Sequence, residues 1–396
     1  ALANRRDSTN LEDILAADNE RRKKISELEE LRRLKKESAR QQQVSAERGR
    51  QLRSSIKLLE EEVRILDDRL NELLLRIPNL PQVTVPAGSR EEDNKVLRSC
   101  GEPRRAAFPL KPHWELGESL GIISFDWGVK LSGTRFYVLK EAGARLQRAL
   151  ITFMLDVHTR ENGYQEIYPP FMVKRECMFG SGNLPKFADN LYHDEEDDLW
   201  FVPTAEVPIT NLHRDEIINP GILPLYYVAY TACFRREKMS AGKDTRGIKR
   251  GHQFDKVEMY KITEPESSND ELGKMVSNAE SICQKLELPY RILELCTADL
   301  GFASTKSYDV EIWAPGCGEW LEVSSCSNCG DFQARRTNIR YRAAPSAKPQ
   351  FVNTLNGSGL ALPRVLIAVM ENYQNADGTI TVPKALQPYM GSKSIE

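Results

Sequence analysis

An evenly spaced set of apolar residues between Ile56 and Ile77 most restricts what this chain can fold into. Its members lie alternately three and four residues apart: Ile56, Leu59, Val63, Leu66, Leu70, Leu73 and Ile77. This spacing puts one apolar stripe along one side of a helix, so it predicts a helix that packs lengthwise against a partner helix. The string Ile77-Pro78-Asn79-Leu80-Pro81 ends the helix, because proline cannot continue one.

A second, looser apolar stripe precedes the first and supplies the partner. It comprises Leu11, Ile14, Leu15, Ile25, Leu28, Leu31 and Leu34. A polar stretch at residues 35–51 separates the two stripes, and residues 11–77 contain no proline and a single glycine, Gly49. The pattern predicts an antiparallel helical hairpin, a coiled-coil arm whose helices each have about 30 residues and a length of roughly 45 Å.

The far end of this hairpin is strongly basic, although the whole chain has a net charge of −2. Residues 32–57 hold nine basic and two acidic side chains, a net charge of +7. The basic residues are Arg32, Arg33, Lys35, Lys36, Arg40, Arg48, Arg50, Arg53 and Lys57. A cationic surface poor in aromatic residues suits the phosphate backbone of a nucleic acid. The alternative is an ordinary solvated face of a coiled coil.

The sequence changes character after Pro81, where proline, glycine and aromatic residues become frequent. Strands are predicted at residues 135–139, 228–234, 254–262 and 308–313, and a helix at residues 142–158. Strands in runs, with helices between some of them, predict an α+β domain on an antiparallel sheet. We therefore expect an arm with its linker at residues 1–100 and a second domain at residues 101–396. Neither Gly-x-Gly-x-x-Gly nor Gly-x-x-x-x-Gly-Lys-Ser/Thr occurs, which argues against a Rossmann or P-loop site.

The cysteine content and the lengths of the apolar runs indicate the cellular compartment. Eight cysteines in 396 residues are too few for a disulfide scaffold and fit a reducing setting, so we expect a cytoplasmic protein. No run of about 18 apolar residues occurs, so no membrane span is expected. Because the chain begins at Ala1 in sequence that already has a helical pattern, we expect further residues upstream.

The first segment suited to ligand chemistry is Phe234-Arg-Arg-Glu237, a loop, and then His252-Gln-Phe-Asp-Lys-Val-Glu258. Two strands joined by a loop would place Arg235, Glu237, Phe254 and Glu258 on one face of a hairpin. Arginine binds phosphate or carboxylate through its planar fork, and Phe254 offers a flat surface for a purine. The loop, residues 238–251, is predicted to be a mobile cationic flap that carries Lys243, Arg246, Lys249 and Arg250.

Three further segments are Asn356-Gly-Ser-Gly-Leu-Ala-Leu-Pro-Arg364, Thr204-Ala-Glu206 and Glu322-Val-Ser-Ser325. Glycines allow a backbone to approach a ligand closely, and Arg364 is expected near the start of a helix. Each segment is weak alone, since an Arg–Glu pair is more often a salt bridge and Thr-Ala-Glu is also a helix-start pattern.

Taken together and in this order, the segments resemble class II aminoacyl-tRNA synthetases, specifically the seryl enzymes of bacterial type. Residues 234–258 are similar to motif 2 of that class, residues 356–364 to motif 3, and residues 142–170 to the motif 1 dimer element. The strings similar to the seryl family are Phe201-Val-Pro-Thr-Ala-Glu206, Ser240-Ala-Gly-Lys-Asp-Thr-Arg-Gly247 and Ser324-Ser-Cys-Ser-Asn-Cys-Gly-Asp-Phe-Gln-Ala-Arg-Arg336. Lys238-Met239 and Gly251 depart from the family pattern in the motif 2 loop.

The resemblance implies a role for each matching residue. Arg235 is expected to bind the ATP α-phosphate and the serine carboxylate, Glu237 to contact the adenine edge, and Phe254 and Arg364 to stack on adenine. The residues expected to surround serine are Thr204, Glu206, Arg235, Glu258, Asn356 and Ser358. The other ATP contacts are Glu322, Val323, Ser324 and Ser325, of which Glu322 and Ser325 hold Mg²⁺. The catalytic residues are then Arg235, Arg364 and Glu322.

The implied activity is ATP-dependent activation of L-serine and its transfer to tRNA(Ser), and also to tRNA(Sec), by a homodimer with a tRNA-binding arm. No zinc is expected, because Cys326-x-x-Cys329 is a single pair and a tetrahedral site needs four ligands. A ligase that loads an amino acid onto a carrier protein would share the motifs but lack the arm. A non-catalytic synthetase paralogue would be expected to lose Arg235, Glu258 or Arg364, and all three are present.

Overall fold

A computed structural model describes residues 2–40, 46–238 and 246–396 of the chain. These residues form two compact units: the arm, which consists of Leu2 and Asp7–Pro78, and the main unit, which consists of Ala3–Arg6 and Asn79–Glu396. Of the helices in the described part of the chain, none has the length and apolar composition that crossing a membrane requires.

The arm is the predicted antiparallel hairpin of two long helices, α1 (Leu11–Arg40) and α2 (Ala46–Leu74). Helices α1 and α2 pack against each other, and Ile56 and Leu66 of the heptad stripe are buried, as are Ile14 and Leu28 of α1. Three assignments in the looser stripe are wrong, because Leu11, Leu15 and Leu34 are 50%, 61% and 38% exposed, whereas Ala17, at 2%, is buried. The reason is helical spacing, since Ala17 is three residues from Ile14 and lies on the same side of the helix.

The main unit carries the remaining elements. Its helices are α3 (His113–Ser119), α4 (Phe125–Ser132), α5 (Glu141–Arg160), α6 (Arg175–Ser181), α7 (Glu206–Thr210), α8 (Ser268–Lys285), α9 (Phe332–Thr337), α10 (Leu362–Asn372) and α11 (Gln387–Met390). Its strands are β1 (Lys95–Cys100), β2 (Ile123–Ser124), β3 (Val138–Leu139), β4 (Gln165–Glu166), β5 (Met172–Lys174), β6 (His193–Asp194), β7 (Leu199–Phe201), β8 (Ile217–Ile218), β9 (Leu225–Phe234), β10 (Gln253–Thr263), β11 (Tyr290–Glu294), β12 (Lys306–Ala314), β13 (Glu319–Asn328), β14 (Arg340–Tyr341), β15 (Gln350–Phe351), β16 (Asn353–Ala361), β17 (Ile380–Thr381) and β18 (Ser394–Ile395).

Eight strands form the central sheet in the order β1-β11-β12-β13-β16-β10-β9-β4. Neighbours are antiparallel apart from the β4–β9 pair, which is parallel. The α+β class with an antiparallel sheet is therefore confirmed. The predicted strand at residues 135–139 is wrong in its first half, because only β3 forms and it pairs with β2 outside this sheet. Arg135 has a φ of 63° in the left-handed region, which an extended strand cannot accommodate.

Helices α5, α8 and α10 build the main apolar core with the sheet. Leu146, Leu150 and Met154 of α5 are almost fully buried in that core. The apolar pattern of residues 142–158, part of the segment that resembles the dimer element, is thus accounted for by packing inside the main unit. Tyr168, which follows β4, is by contrast 80% exposed.

Candidate active site

A cavity of about 490 Å³ opens over the sheet where β10, β13 and β16 lie side by side. Its walls gather the motif residues from distant parts of the sequence. The sequence-predicted residues that line it are Thr204, Glu206, Arg235, Glu237, Phe254, Glu258, Glu322, Ser325, Asn356, Ser358 and Arg364. The β9–β10 hairpin, β13, β16 and the start of α10 therefore face one common space.

Strand geometry explains how β10 contributes to the cavity. Successive side chains of a strand point to opposite faces, so Phe254, Lys256 and Glu258 share the cavity face. Val257 and Met259 point the other way and are fully buried in the apolar core. On the neighbouring strand β16, Ser358 lies directly opposite Glu258.

An irregularity in β13 brings Glu322 and Ser325 to the same face although they are three residues apart. Val310 of β12 pairs with Ser324, but the next residue, Glu311, pairs with Glu322. Val323 is therefore the extra residue of a β-bulge, which restores a common orientation to the residues on either side. Val323 is fully buried, and the Ser324 hydroxyl donates a hydrogen bond to the Ser358 carbonyl at 2.6 Å. Any ligand contact from these two predicted residues would have to come from their backbone.

One end of the cavity is acidic and lined with amide groups. Oε1 of Glu206 accepts hydrogen bonds from the side chains of Gln333, at 2.6 Å, and Asn356, at 2.9 Å. Burial and the nearby carboxylate of Glu258 raise the pKa of Glu206 to about 7. Glu258 is 1% exposed and forms an ion pair of 2.6 Å with Lys256. Buried carboxylates beside amides and hydroxyls suit a small ligand that carries an ammonium group.

The other end combines arginines with a flat ring. The guanidinium of Arg235 lies 5.1 Å from the centre of the Phe254 ring, and its Nε donates to the carbonyl of Pro203 at 3.2 Å. Arg364 lies 3.2 Å from the carboxylate of Glu322. Burial raises the pKa of Glu322, but Arg364 and Arg235 outweigh it, so the pKa of this carboxyl is lowered overall. The site can thus neutralise phosphate charge next to an aromatic surface.

The cavity also contains residues to which the sequence argument gave no role. Lys256 is one, and its signal was available, because it lies two residues from both Phe254 and Glu258 in a predicted strand. Arg250, which the sequence analysis assigned only to the cationic flap, lines the wall 3.8 Å from Glu237. Residues 301–304 form a further wall, and no local pattern marks them, since their place depends on contacts with distant segments.

The C-terminal end of the predicted cationic flap is anchored in the core. The backbone N–H of Ile248 donates to Nε2 of His113 at 3.2 Å, and Nδ1 of His113 contacts Oε1 of Glu371 at 3.0 Å. Cys317 lies within reach of both, but backbone N–H groups of residues 113, 316 and 317 also donate to the Glu371 carboxylate. Those donors occupy the carboxylate, so we interpret the cluster as a hydrogen-bond network.

Several predicted residues are not among those that line the cavity, or are outside the described residues. Arg32, Arg33, Lys35, Lys36, Arg48, Arg50 and Arg53 are exposed on the arm. Residues 41–45 and 239–245, which include Met239, Lys243 and most of the string that begins at Ser240, are outside the described residues, as is the side chain of Arg40. Cys326 and Cys329 are buried, and the Cys329 thiol accepts a hydrogen bond from Asn356 at 3.3 Å.

Comparison with known proteins adds independent findings. Residues 187–373 match the tRNA synthetase class II core domain (G, H, P, S and T), and residues 1–81 match the seryl-tRNA synthetase N-terminal domain. A serine–tRNA ligase of Dehalococcoides mccartyi is 61% identical across 99% of this chain and 95% of its own length.

Two solved structures are also similar over nearly the whole chain. A seryl-tRNA synthetase from Pyrococcus horikoshii, complexed with ATP, has a TM-score of 0.90 at 38% identity and covers 97% of this chain and 92% of its own. A cytoplasmic serine–tRNA ligase from Naegleria fowleri, in complex with AMP, has a TM-score of 0.88 at 31% identity and covers 100% of this chain and 94% of its own.

Proposed function

The chain belongs to the seryl-tRNA synthetase family, and from this membership we propose that its cavity activates L-serine with ATP and passes the seryl group to tRNA(Ser). The same reaction on tRNA(Sec) is part of the proposal. The observation that carries it is the pairing, within one cavity, of a buried acidic end around Glu206 and Glu258 with an arginine-rich end around Arg235 and Arg364.

The acidic end is the proposed serine pocket. Glu206 and Glu258 would hold the ammonium group, while Thr204, Asn356 and Ser358 would surround the serine hydroxyl. Arg235 would hold the carboxylate and point it toward the nucleotide. A pocket built from buried polar groups rejects alanine, because its hydrogen-bonding partners would be left unpaired.

The arginine-rich end is the proposed ATP site. Phe254 and Arg364 would stack on adenine, Glu237 would contact its edge, and the backbone of Val323 and Ser324 would border the phosphates. Arg235 and Arg364 would neutralise charge as the serine carboxylate attacks the α-phosphorus and pyrophosphate leaves. The product is seryl-adenylate. The terminal ribose hydroxyl of tRNA would then attack the carbonyl carbon of this adenylate and release AMP. Positioning and charge neutralisation provide the catalysis, without a protein nucleophile.

Magnesium fits the oxygen donors of β13. Glu322 carries a carboxyl whose pKa is lowered, so it is ionised at neutral pH, and Ser325 lies on the same face because of the bulge at Val323. A carboxylate and a hydroxyl are the kind of ligands that this hard cation accepts alongside phosphate oxygens. When bound, the ion would neutralise phosphate charge, and Glu322 and Ser325 would hold it.

The remaining parts of the proposal concern partners and setting. The domain at residues 1–100 would bind tRNA through Arg32, Arg33, Lys35, Lys36, Arg40, Arg48, Arg50 and Arg53, while residues 101–396 carry the chemistry. The protein would work as a homodimer in the cytoplasm. Phosphate contacts made by arginine and lysine depend on charge and so would bring tRNA to the arm without reading bases.

ATP–pyrophosphate exchange measured with serine, threonine, alanine and glycine tests the proposal. We expect exchange with serine, and at most about a ten-thousandth of that rate with alanine, because a site built to hydrogen-bond a hydroxyl rejects the analogue without it by about 10⁴-fold or more. Aminoacylation of tRNA(Ser) and tRNA(Sec) transcripts is measured in parallel. Exchange without transfer to either tRNA would instead favour a ligase that uses another acceptor. No exchange with any of the four amino acids would favour a non-catalytic paralogue.

A further inference from the structure

The segment of residues 300–304, of which residues 301–304 line the cavity, accepts a hydrogen bond at every one of its carbonyl groups from two residues that are remote in sequence. Arg5 donates to the carbonyls of Leu300, Gly301 and Ser304. The backbone N–H of Asn79 donates to the carbonyl of Phe302 at 2.9 Å, and its side-chain amide donates to that of Ala303 at 2.8 Å. Arg5 also donates to the carbonyl of Asn79 itself, so the two residues form one clamp.

The two clamp residues belong to the main unit and flank the arm in the sequence. Residues 3–6 are the last part of the main unit before the arm, and Asn79 is the first residue after it. Asn79 is 9% exposed, and the guanidinium of Arg5 supplies charged donors, which make stronger hydrogen bonds than neutral ones. Without these donors several backbone carbonyls of the wall would lose their partners, a cost that buried backbone normally avoids.

The wall is linked to the acidic end of the cavity by ring and hydrogen-bond contacts. Residues 301–304 line the cavity, and the Phe302 ring packs against Phe332, one residue before the Gln333 that hydrogen-bonds Glu206. Asn79 reaches the same place by a second route, because its side-chain amide also donates to the carbonyl of Cys329 at 2.7 Å. The Cys329 thiol in turn accepts from Asn356, which holds Glu206.

We propose that Arg5 and Asn79 are positioning residues for the serine pocket, and that they act through residues 300–304 and Cys329. The proposal rests on the proposed function, because it assumes that the acidic end of the cavity binds serine. The proposal predicts different effects on the two substrates. Loss of the clamp should weaken the use of serine far more than the use of ATP, whose proposed partners Phe254 and Arg364 do not touch the clamp.

Steady-state ATP–pyrophosphate exchange on the full chain, with serine and ATP varied separately, tests this inference. Arg5→Gln removes the charge and most of the donors. Asn79→Asp keeps the size and the backbone N–H but sets a carboxylate against two carbonyls. Arg6→Gln is the matched control, because Arg6 is the adjacent arginine and makes none of the clamp's contacts. Arg5→Lys retains the charge but has fewer directed donors.

We expect Arg5→Gln and Asn79→Asp to raise the KM for serine about tenfold, since small displacements of a binding wall have effects of that order or larger. The KM for ATP should stay within about twofold in the same variants. The KM for serine of Arg5→Lys should lie between those of Arg5→Gln and the parent. This variant also provides the test if Arg5→Gln does not fold. Arg6→Gln should match the parent.

Two results would overturn the inference. One is a serine KM that is unchanged in both clamp variants. The other is an equal rise in both KM values together with a lower unfolding temperature, which would mean that the clamp only stabilises the fold. Failure of the proposed function itself would show differently, as a parent protein without serine-dependent exchange.

Discussion

The side-chain amide of Asn356 donates a hydrogen bond of 2.9 Å to Oε1 of Glu206. Gln333 donates to the same oxygen, so neither amide engages Oε2 of Glu206. The two amides fix the orientation of the carboxyl group, and burial near Glu258 controls its charge. Orientation and charge together decide whether this end of the cavity can hold an ammonium group.

Serine use should depend on pH through Glu206. Its pKa is raised to about 7, so the group loses its negative charge as pH falls below 7 and can then no longer pair with an ammonium ion. We expect kcat/KM for serine to fall about tenfold per pH unit below this value. The measurement is a pH profile of serine-dependent exchange. Glu206→Gln should be slow at every pH and lack this inflection, and a parent profile that is flat from pH 5.5 to 8 would exclude the assignment.

Replacing Glu258 by Ala should abolish serine activation while the protein remains folded. Glu258 is 1% exposed and paired with Lys256, and losing one buried charge costs enough to reduce exchange to about a thousandth or less. Glu258→Gln, which keeps the volume, should be equally inactive. The exposed Glu266→Ala serves as a control and should match the parent. Serine-dependent exchange at the parental rate in Glu258→Ala would refute the role of this carboxylate.

Shortening the arm should separate activation from transfer. If residues 33–53 are replaced by a short turn, the buried contacts of Ile14, Ala17, Leu28, Ile56 and Leu66 remain, so the shortened hairpin should fold. Exchange should persist, because none of the arm residues that the structure describes lines the cavity. Aminoacylation of tRNA should fall, with a weaker salt dependence, since each lost phosphate contact removes one source of counterion release on binding.

A full-length variant separates charge from length in that experiment. Arg33, Lys35, Lys36, Arg48, Arg50 and Arg53 are all exposed and can be changed to Gln without shortening either helix. If charge is what the arm contributes, this variant should lose aminoacylation as the shortened protein does. Transfer at the parental rate in both proteins would mean that the basic tip is an ordinary solvated surface.

The protein is expected to sediment as a dimer at micromolar concentration. The apolar face of α5 is already buried in the main unit, so an interface in the region 142–170 must use exposed groups such as Tyr168, which is 80% exposed. Tyr168→Glu should raise the monomer fraction, because a charge would be buried without a partner. The control is Val83→Glu, at a fully exposed site elsewhere in the main unit. A parent protein that sediments as a monomer would contradict the assembly.

The hairpin arm and most strands near the site were predictable because they depend on local periodicity. The apolar stripe from Ile56 onward follows the period of a helix. The alternation of Phe254, Lys256 and Glu258 follows the two-residue period of a strand. The error at residues 135–139 has the opposite cause. Apolar residues there looked like a strand, but the left-handed conformation of Arg135 is stabilised by tertiary contacts, such as the hydrogen bond its carbonyl accepts from His252.

The sequence by itself determined the helical hairpin arm, the α+β class of the second domain and the residue types of the site. Through its motifs it also indicated the family. Only the tertiary structure decided which of these residues meet. The bulge at Val323 turns Glu322 and Ser325 to one face, and the clamp formed by Arg5 and Asn79 holds a wall that is about 300 residues from Arg5 in sequence. The physical reason is that hydrogen bonds between segments distant in sequence leave no periodic pattern in the chain, whereas the burial of one face of a helix or strand does.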